Sequence, residues 1–152
     1  MSEIIAGGTF LEVLHEAFDM GQKLTFTPTG RSMLPMLDGK KDKVTFSPKP
    51  GKLKKYDVAF YRRPETGQLV LHRMVGFDKD GGYIFSGDGQ YYYEYGICDE
   101  DILALMTSFT HKGKEHRVEE LGYRIYIRRM IVKKKLWILL RKIYHRMKRS
   151  SR

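Results

Sequence analysis

The chain has 152 residues and a mass of 17.8 kDa, ordinary for one domain and long enough to bury roughly two-thirds of its unfolded surface. Hydrophobic residues make up 41% and charged residues 30%, which excludes a disordered chain and a membrane bundle, and the single cysteine, Cys98, excludes a disulfide framework and a cysteine-rich zinc module. The net charge of +10 is uneven: residues 117–152 hold 13 Lys/Arg against Glu119 and Glu120, whereas residues 1–116 hold 15 Lys/Arg against 16 Asp/Glu.

Residues 1–8 lack the basic start and apolar run of a secretory signal. The longest strictly apolar run, residues 136–140, is far shorter than the roughly 18 residues a transmembrane helix needs. The expected location is therefore cytoplasmic, with peripheral attachment at the inner face of the membrane as an option.

Residues 9–20 read as a short amphipathic helix. Thr9 is the predicted N-cap, with Glu12 completing a capping box. Phe10, Leu11, Leu14, Ala17 and Phe18 share one face, and Gly21 is a reasonable stop. From Lys23 to about Glu119 the signals are those of strands. Leu24-Thr25-Phe26-Thr27 and Val44-Thr45-Phe46 alternate, while Asp57-Val58-Ala59-Phe60-Tyr61 and Leu69-Val70-Leu71 are short runs rich in β-formers. Val75-Gly76-Phe77 and Tyr83-Ile84-Phe85 flank Asp78-Lys79-Asp80-Gly81-Gly82, a hairpin signal. A second hairpin is predicted from residues 102–110 and 115–119 across His111-Lys112-Gly113-Lys114. Many short strands with frequent turns predict a mostly β, barrel-like domain.

Residues 123–147 are of a different kind. Leu136, Leu139, Leu140, Ile143, Tyr144 and Met147 form one helical stripe, Trp137 sits beside it, and Lys and Arg crowd the rest. A helix of this composition suits a lipid headgroup layer. Docking on protein, binding to nucleic acid, or a merely solubilising role are the other readings of a basic terminus. The organisation read from the sequence is thus an N-terminal helix (1–22), a β-rich domain (23–119) and a basic amphipathic C-terminal helix (120–152).

Three places hold residues suited to chemistry. Gly30-Arg31-Ser32-Met33-Leu34-Pro35-Met36-Leu37 puts a serine on a tight turn, where a hydroxyl can project while neighbouring N–H groups stay free for an oxyanion. His72, within Leu69-Val70-Leu71-His72-Arg73-Met74-Val75, is a possible general base. Asp88, within Gly87-Asp88-Gly89, is a carboxylate that can orient a histidine. Each is also readable as an ordinary turn or strand residue. Tyr91-Tyr92-Tyr93-Glu94-Tyr95 reads as an aromatic groove lining or as a packed strand or loop. His15, His111, His116 and His145 show no spacing that makes a zinc site. No metal or cofactor is expected, and Cys98 has no activating neighbour in sequence.

Taken in order, these segments resemble the type I signal peptidases and the related self-cleaving SOS repressors. Residues 30–37 resemble the nucleophile box, Tyr56-Asp57-Val58-Ala59-Phe60 the Gly-Asp-Val-Val-x-Phe box, His72-Arg73 the base position, and Gly87-Asp88-Gly89 the Gly-Asp-Asn box. The resemblance covers about residues 25–106. A histidine at the base position is similar to the archaeal and endoplasmic-reticulum branch, in which many bacterial members' lysine is replaced. Gly89 stands where the family has Asn, Gly30 stands where many members have a hydroxyl residue, and the family's N-terminal anchor has no counterpart here.

The resemblance implies a serine endopeptidase that cleaves a leader or signal segment. Ser32 would attack, His72 would transfer the proton, and Asp88 would hold His72 in the right tautomer. The backbone N–H groups of Arg31 and Ser32 would form the oxyanion hole. Met33, Pro35 and Met36 are expected to contact substrate, although Met33, Leu34, Met36 and Leu37 also suit a core. Arg73 is expected to make a structural charge contact. With His72 as base, activity should fall below about pH 6. The partner would be a peptide or protein substrate, with an anionic membrane surface at the C-terminal helix. The rival readings are a non-catalytic peptide-binding module and a nucleic-acid-associated regulator.

Overall fold

The computed structural model describes the backbone of residues 7–150 and the side chains of residues 10–148. The chain divides after Arg117 into a β-rich unit and a second unit that is one long helix. The β-rich unit opens with α1 (Gly7–Asp19). This helix begins ahead of the expected Thr9 cap. The first-turn N–H groups of any helix lack internal partners, so its start is only loosely fixed by sequence. Its end is sharper. Gly21 is left-handed at φ 69°, and the N–H groups of Gly21 and Gln22 donate to the carbonyls of Phe18 and Ala17.

Eight strands follow: β1 (Leu24–Phe26), β2 (Val44–Ser47), β3 (Val58–Arg62), β4 (Leu69–Phe77), β5 (Tyr83–Ser86), β6 (Glu94–Ile97), β7 (Ile102–His111) and β8 (Lys114–Arg117). A short 3-10 turn, Asp99–Asp101, precedes β7. The strands form one antiparallel sheet in the order β1-β2-β7-β3-β4-β5-β6, with β8 hydrogen-bonded to β7. The long β7 pairs with β2 along one side and with two strands in succession along the other: Leu105 pairs with Ala59 of β3, and Ser108 with Arg117 of β8. Both hairpins read from the sequence are present, β4–β5 and β7–β8.

The fold is mostly β, as expected, but the sheet does not close into a barrel. Four register shifts bend it, at Thr45/Phe46, Phe60/Tyr61, Met74/Gly76 and Tyr83/Phe85. Its ends, β1 with 3 residues and β6 with 4, remain free edges, because each pairs on one side only.

Both faces of the sheet are covered at its centre. This explains why residues 58–61 read as an unbroken apolar run with no alternation: all four are buried. On one face Phe10 of α1 meets Phe26 edge-on at 4.7 Å and Phe60 at 5.5 Å, and Phe26 stacks on Phe46 at 4.9 Å. The N-terminal helix is thus part of the β-rich unit's own core. On the other face Ala59, Tyr61, Val70, Met74, Phe85 and Ile102 form a second cluster.

The second unit is α2 (Leu121–Ser150), somewhat longer at both ends than the periodicity of residues 123–147 predicts. Among the described residues no helix is long and apolar enough to cross a membrane.

The aromatic cluster yields a stability prediction. Phe46 is completely buried, so Phe46→Ala should cost about 3–5 kcal/mol, while Tyr95→Ala at an exposed position should stay within about 0.5 kcal/mol. Urea denaturation followed by circular dichroism measures both.

Candidate active site

Ser32 lies in a turn between β1 and β2. The base of the loop is closed by Lys40 N–H donating to the Pro28 carbonyl at 2.7 Å, and the turn by Leu34 N–H donating to the Arg31 carbonyl at 3.2 Å. Met33, Met36 and Leu37 point inward and are almost wholly buried, which fixes the turn to the core. Two of the three residues expected to contact substrate, Met33 and Met36, therefore belong to the core. Pro35 alone is exposed. The reason is the tight turn itself, which sends apolar side chains that follow Ser32 inward. The Ser32 hydroxyl makes no hydrogen bond among the described residues.

His72 lies in the middle of β4, opposite Ala59 of β3, and only 2% of its side chain is exposed. Its Nδ1 is 3.0 Å from Glu94 Oε1 and 3.2 Å from the Tyr61 hydroxyl. The Tyr61 hydroxyl donates its single proton to Glu94 Oε2 at 2.9 Å. Arg63 grips the same carboxylate bidentately, Nε to Oε2 at 2.7 Å and Nη2 to Oε1 at 2.6 Å. Burial alone would raise the Glu94 pKa, but the hydrogen bonds from Arg63 and Tyr61 outweigh it and hold the carboxyl below its ordinary range. An ionised Glu94 only accepts, so the network assigns the imidazole proton to Nδ1. The lone pair is then on Nε2, which has no hydrogen-bond partner among the described residues. Burial lowers the His72 pKa to about 4, against the attraction of Glu94. At neutral pH the imidazole is uncharged, and its contact with Glu94 is a hydrogen bond rather than an ion pair.

The orienting carboxylate is therefore Glu94, and the expectation for Asp88 is corrected. Asp88 is engaged by Arg73, Nε to Oδ1 and Nη2 to Oδ2, both at 2.7 Å, with neither side chain appreciably exposed. Arg73 also donates to the Tyr56 carbonyl at 2.9 Å. The physical cause is strand alternation. Successive residues of β4 point to opposite faces, so His72 and Arg73 diverge, and Asp88 is on the Arg73 side. This is the structural charge contact the sequence predicts for Arg73.

The Ser32 loop packs against the turn after β5. Arg73 pairs with Ser86. A Cβ on Gly87 would be 2.5 Å from the Ser32 carbonyl oxygen, and one on Gly89 would be 2.9 Å from that of Leu34. The Ser32 turn thus fills space that side chains at 87 and 89 would occupy, and Met36 of the same loop touches Arg73, Sδ at 3.1 Å from Nη2. Gly89 N–H donates to the Ser32 carbonyl at 2.9 Å and ties the two turns together. No hydrogen bond joins Ser32 to His72.

The N–H groups of Arg31 and Ser32 donate no hydrogen bond among the described residues. The sequence reading passed over Glu94, Tyr61 and Arg63 as members of the site. A signal for Glu94 was present: at the start of β6 it alternates with Tyr93 and Tyr95, both exposed, which puts a carboxylate at an inward position. Among the described residues no cluster of three or more His, Cys, Asp or Glu is arranged to hold a metal ion. No protein-family model, curated protein or solved structure matches the chain.

Two predictions follow from these charges. His72 titrates near pH 4 when folded and near its ordinary value of about 6.5 when unfolded, so between these values the unfolded chain binds more protons. Stability should hold above about pH 6.5 and fall toward pH 4, with His72 contributing up to about 3 kcal/mol of the loss. Urea midpoints across that range should show the fall, and His72→Gln should flatten it. For the second, Arg73→Met strands Asp88 as a buried charge and should cost about 3–5 kcal/mol, much of which Arg73→Met/Asp88→Leu should restore. Thermal denaturation of the two variants decides it.

Proposed function

We propose that the chain is a serine endopeptidase resembling the type I signal peptidases, and that the open sheet is a variant of their fold. The single observation that carries the reading is the state of His72: its Nδ1 is 3.0 Å from Glu94, which favours the proton on that nitrogen and a lone pair on Nε2. In the proposed reaction Ser32 Oγ attacks a peptide carbonyl as Nε2 takes its proton. Nε2 then returns that proton to the leaving amine. Glu94 stabilises the transient imidazolium through Nδ1, the role expected for Asp88. The N–H groups of Arg31 and Ser32 hold the oxyanion, each such donor contributing about 3 kcal/mol. Catalytic hydrogen bonds are often long without substrate and tighten on binding, which accommodates the missing Ser32–His72 bond. An extended peptide adding as a strand to β6, the free edge that carries Glu94, would present its backbone near the site. The substrate proposed is the leader or signal segment of a peptide.

Ser32→Ala and His72→Ala should abolish cleavage of leader-containing peptides, and Glu94→Gln should lower turnover by roughly 10²–10⁴. Asp88→Asn should reduce stability and, by removing a charge that raises the His72 pKa, move the acid limb slightly lower. Since the buried base titrates near pH 4, the acid limb should be near pH 4 and the profile flat from about pH 5 to 8, which replaces the limb near pH 6 that the sequence suggests for His72. Unchanged turnover in Ser32→Ala would sink the assignment.

The lack of a Ser32–His72 bond also favours a second reading, a non-catalytic module of this fold that holds a peptide in the same cleft. A serine-directed acylating probe separates the two. Labelling of the parent that vanishes in Ser32→Ala supports the peptidase, whereas an unlabelled parent that still binds extended peptide supports the module.

A further inference from the structure

The proposed chemistry makes no use of α2. Leu136, Leu139, Leu140, Ile143, Tyr144 and Met147 are 47–65% exposed. At 3.6 residues per turn they span an arc of about 140° on the helix, and Ile125 and Val132, also exposed, extend it. Lys135, Lys142 and Arg146 border this stripe on one side, and Arg141 and Lys148 on the other. Residues 121–150 contain 11 Lys/Arg and no Asp or Glu. We propose that α2 lies flat in the headgroup layer of an anionic bilayer, with the stripe 136–147 submerged and the flanking cations on lipid phosphates.

Three observations favour this occupant over the alternatives. The helix does not meet the requirement for crossing a bilayer, so an in-plane position is the one in which lipid can cover the stripe. Cations on both flanks match a plane that extends to either side of the helix, and a purely negative surface adds about 1 kcal/mol of attraction per basic residue near it. A nucleic acid would take the charges but leave six large apolar side chains in water. Trp137, 38% exposed beside the stripe with the Arg141 guanidinium 5.3 Å from its ring, has the apolar body and polar edge suited to an interface. The inference stands apart from the peptidase reading, since it uses none of the residues assigned to cleavage.

Trp137 is the chain's single tryptophan, so its fluorescence reports on this helix alone. The full-length protein should float with phosphatidylcholine vesicles containing about one-third phosphatidylglycerol at least about tenfold better than with pure phosphatidylcholine, and its emission should shift to the blue. Leu136→Ser/Leu140→Ser/Ile143→Ser should lose about tenfold or more in binding, and Lys135→Glu/Lys142→Glu/Arg146→Glu should lose the preference for the anionic vesicles. Circular dichroism checks that both variants keep their helix, and the parent's emission shift stands without them. Ser32→Ala should bind vesicles like the parent, so failure of cleavage and failure of lipid binding are separately visible. No flotation with the anionic vesicles, an unshifted Trp137, or a triple-serine variant that binds undiminished overturns the proposal. Tighter retention on duplex DNA, or on an acidic polypeptide, than on the anionic vesicles also overturns it.

Discussion

The contact on which the site depends is that of the Ser32 carbonyl with the space left open by Gly87 and Gly89. A Cβ at 87 would come within 2.5 Å of that oxygen, closer than unbonded atoms approach. With glycine at 87 and 89, one face of the turn after β5 can receive the serine loop. With Asp88 between them, the other face can receive a guanidinium. The alternation of β4 sends His72 to one side and Arg73, with its partner Asp88, to the other.

Each side then handles charge in its own way. On one, Arg73 and Asp88 neutralise each other by a bidentate pair with almost no water. Removing both partners is tolerable, and removing one is not. On the other, Glu94 pulls the imidazole toward protonation, and the Arg63 charge beside it opposes that pull. Burial wins, and the ring rests neutral. Tyr61 adds to this by donating to Glu94. The carboxylate orients the imidazole and leaves it uncharged.

Much of this was legible in the sequence, and what was not has a definite cause. The hairpins at residues 78–82 and 111–114, the helix stop at Gly21, and the long cationic helix were all carried by local signals: glycines, β-formers and helical periodicity. The role of Asp88 was misassigned because a motif gives spacing along the chain and says nothing of which way a side chain faces. The decisive fact was that Arg73, one residue past His72, faces the other way. Glu94 was hidden among four tyrosines, whose bulk drew the reading toward stacking. The open sheet was also beyond reach, since closure depends on whether the first and last strands meet, and no local pattern encodes that. Met33 and Met36 looked equally suited to rim and core until the turn's direction was known.

The free edge at β6 limits what can be read there. It spans only Glu94–Ile97, and the strand's outward-facing backbone groups recur at every second residue. A guest aligned on it would meet about two donor–acceptor residues, so its sequence would be sampled over three or four positions. Such a short ruler is tolerant of what lies beyond those positions, and a four-residue edge is also a poor template for stacking further copies of the chain into a growing sheet.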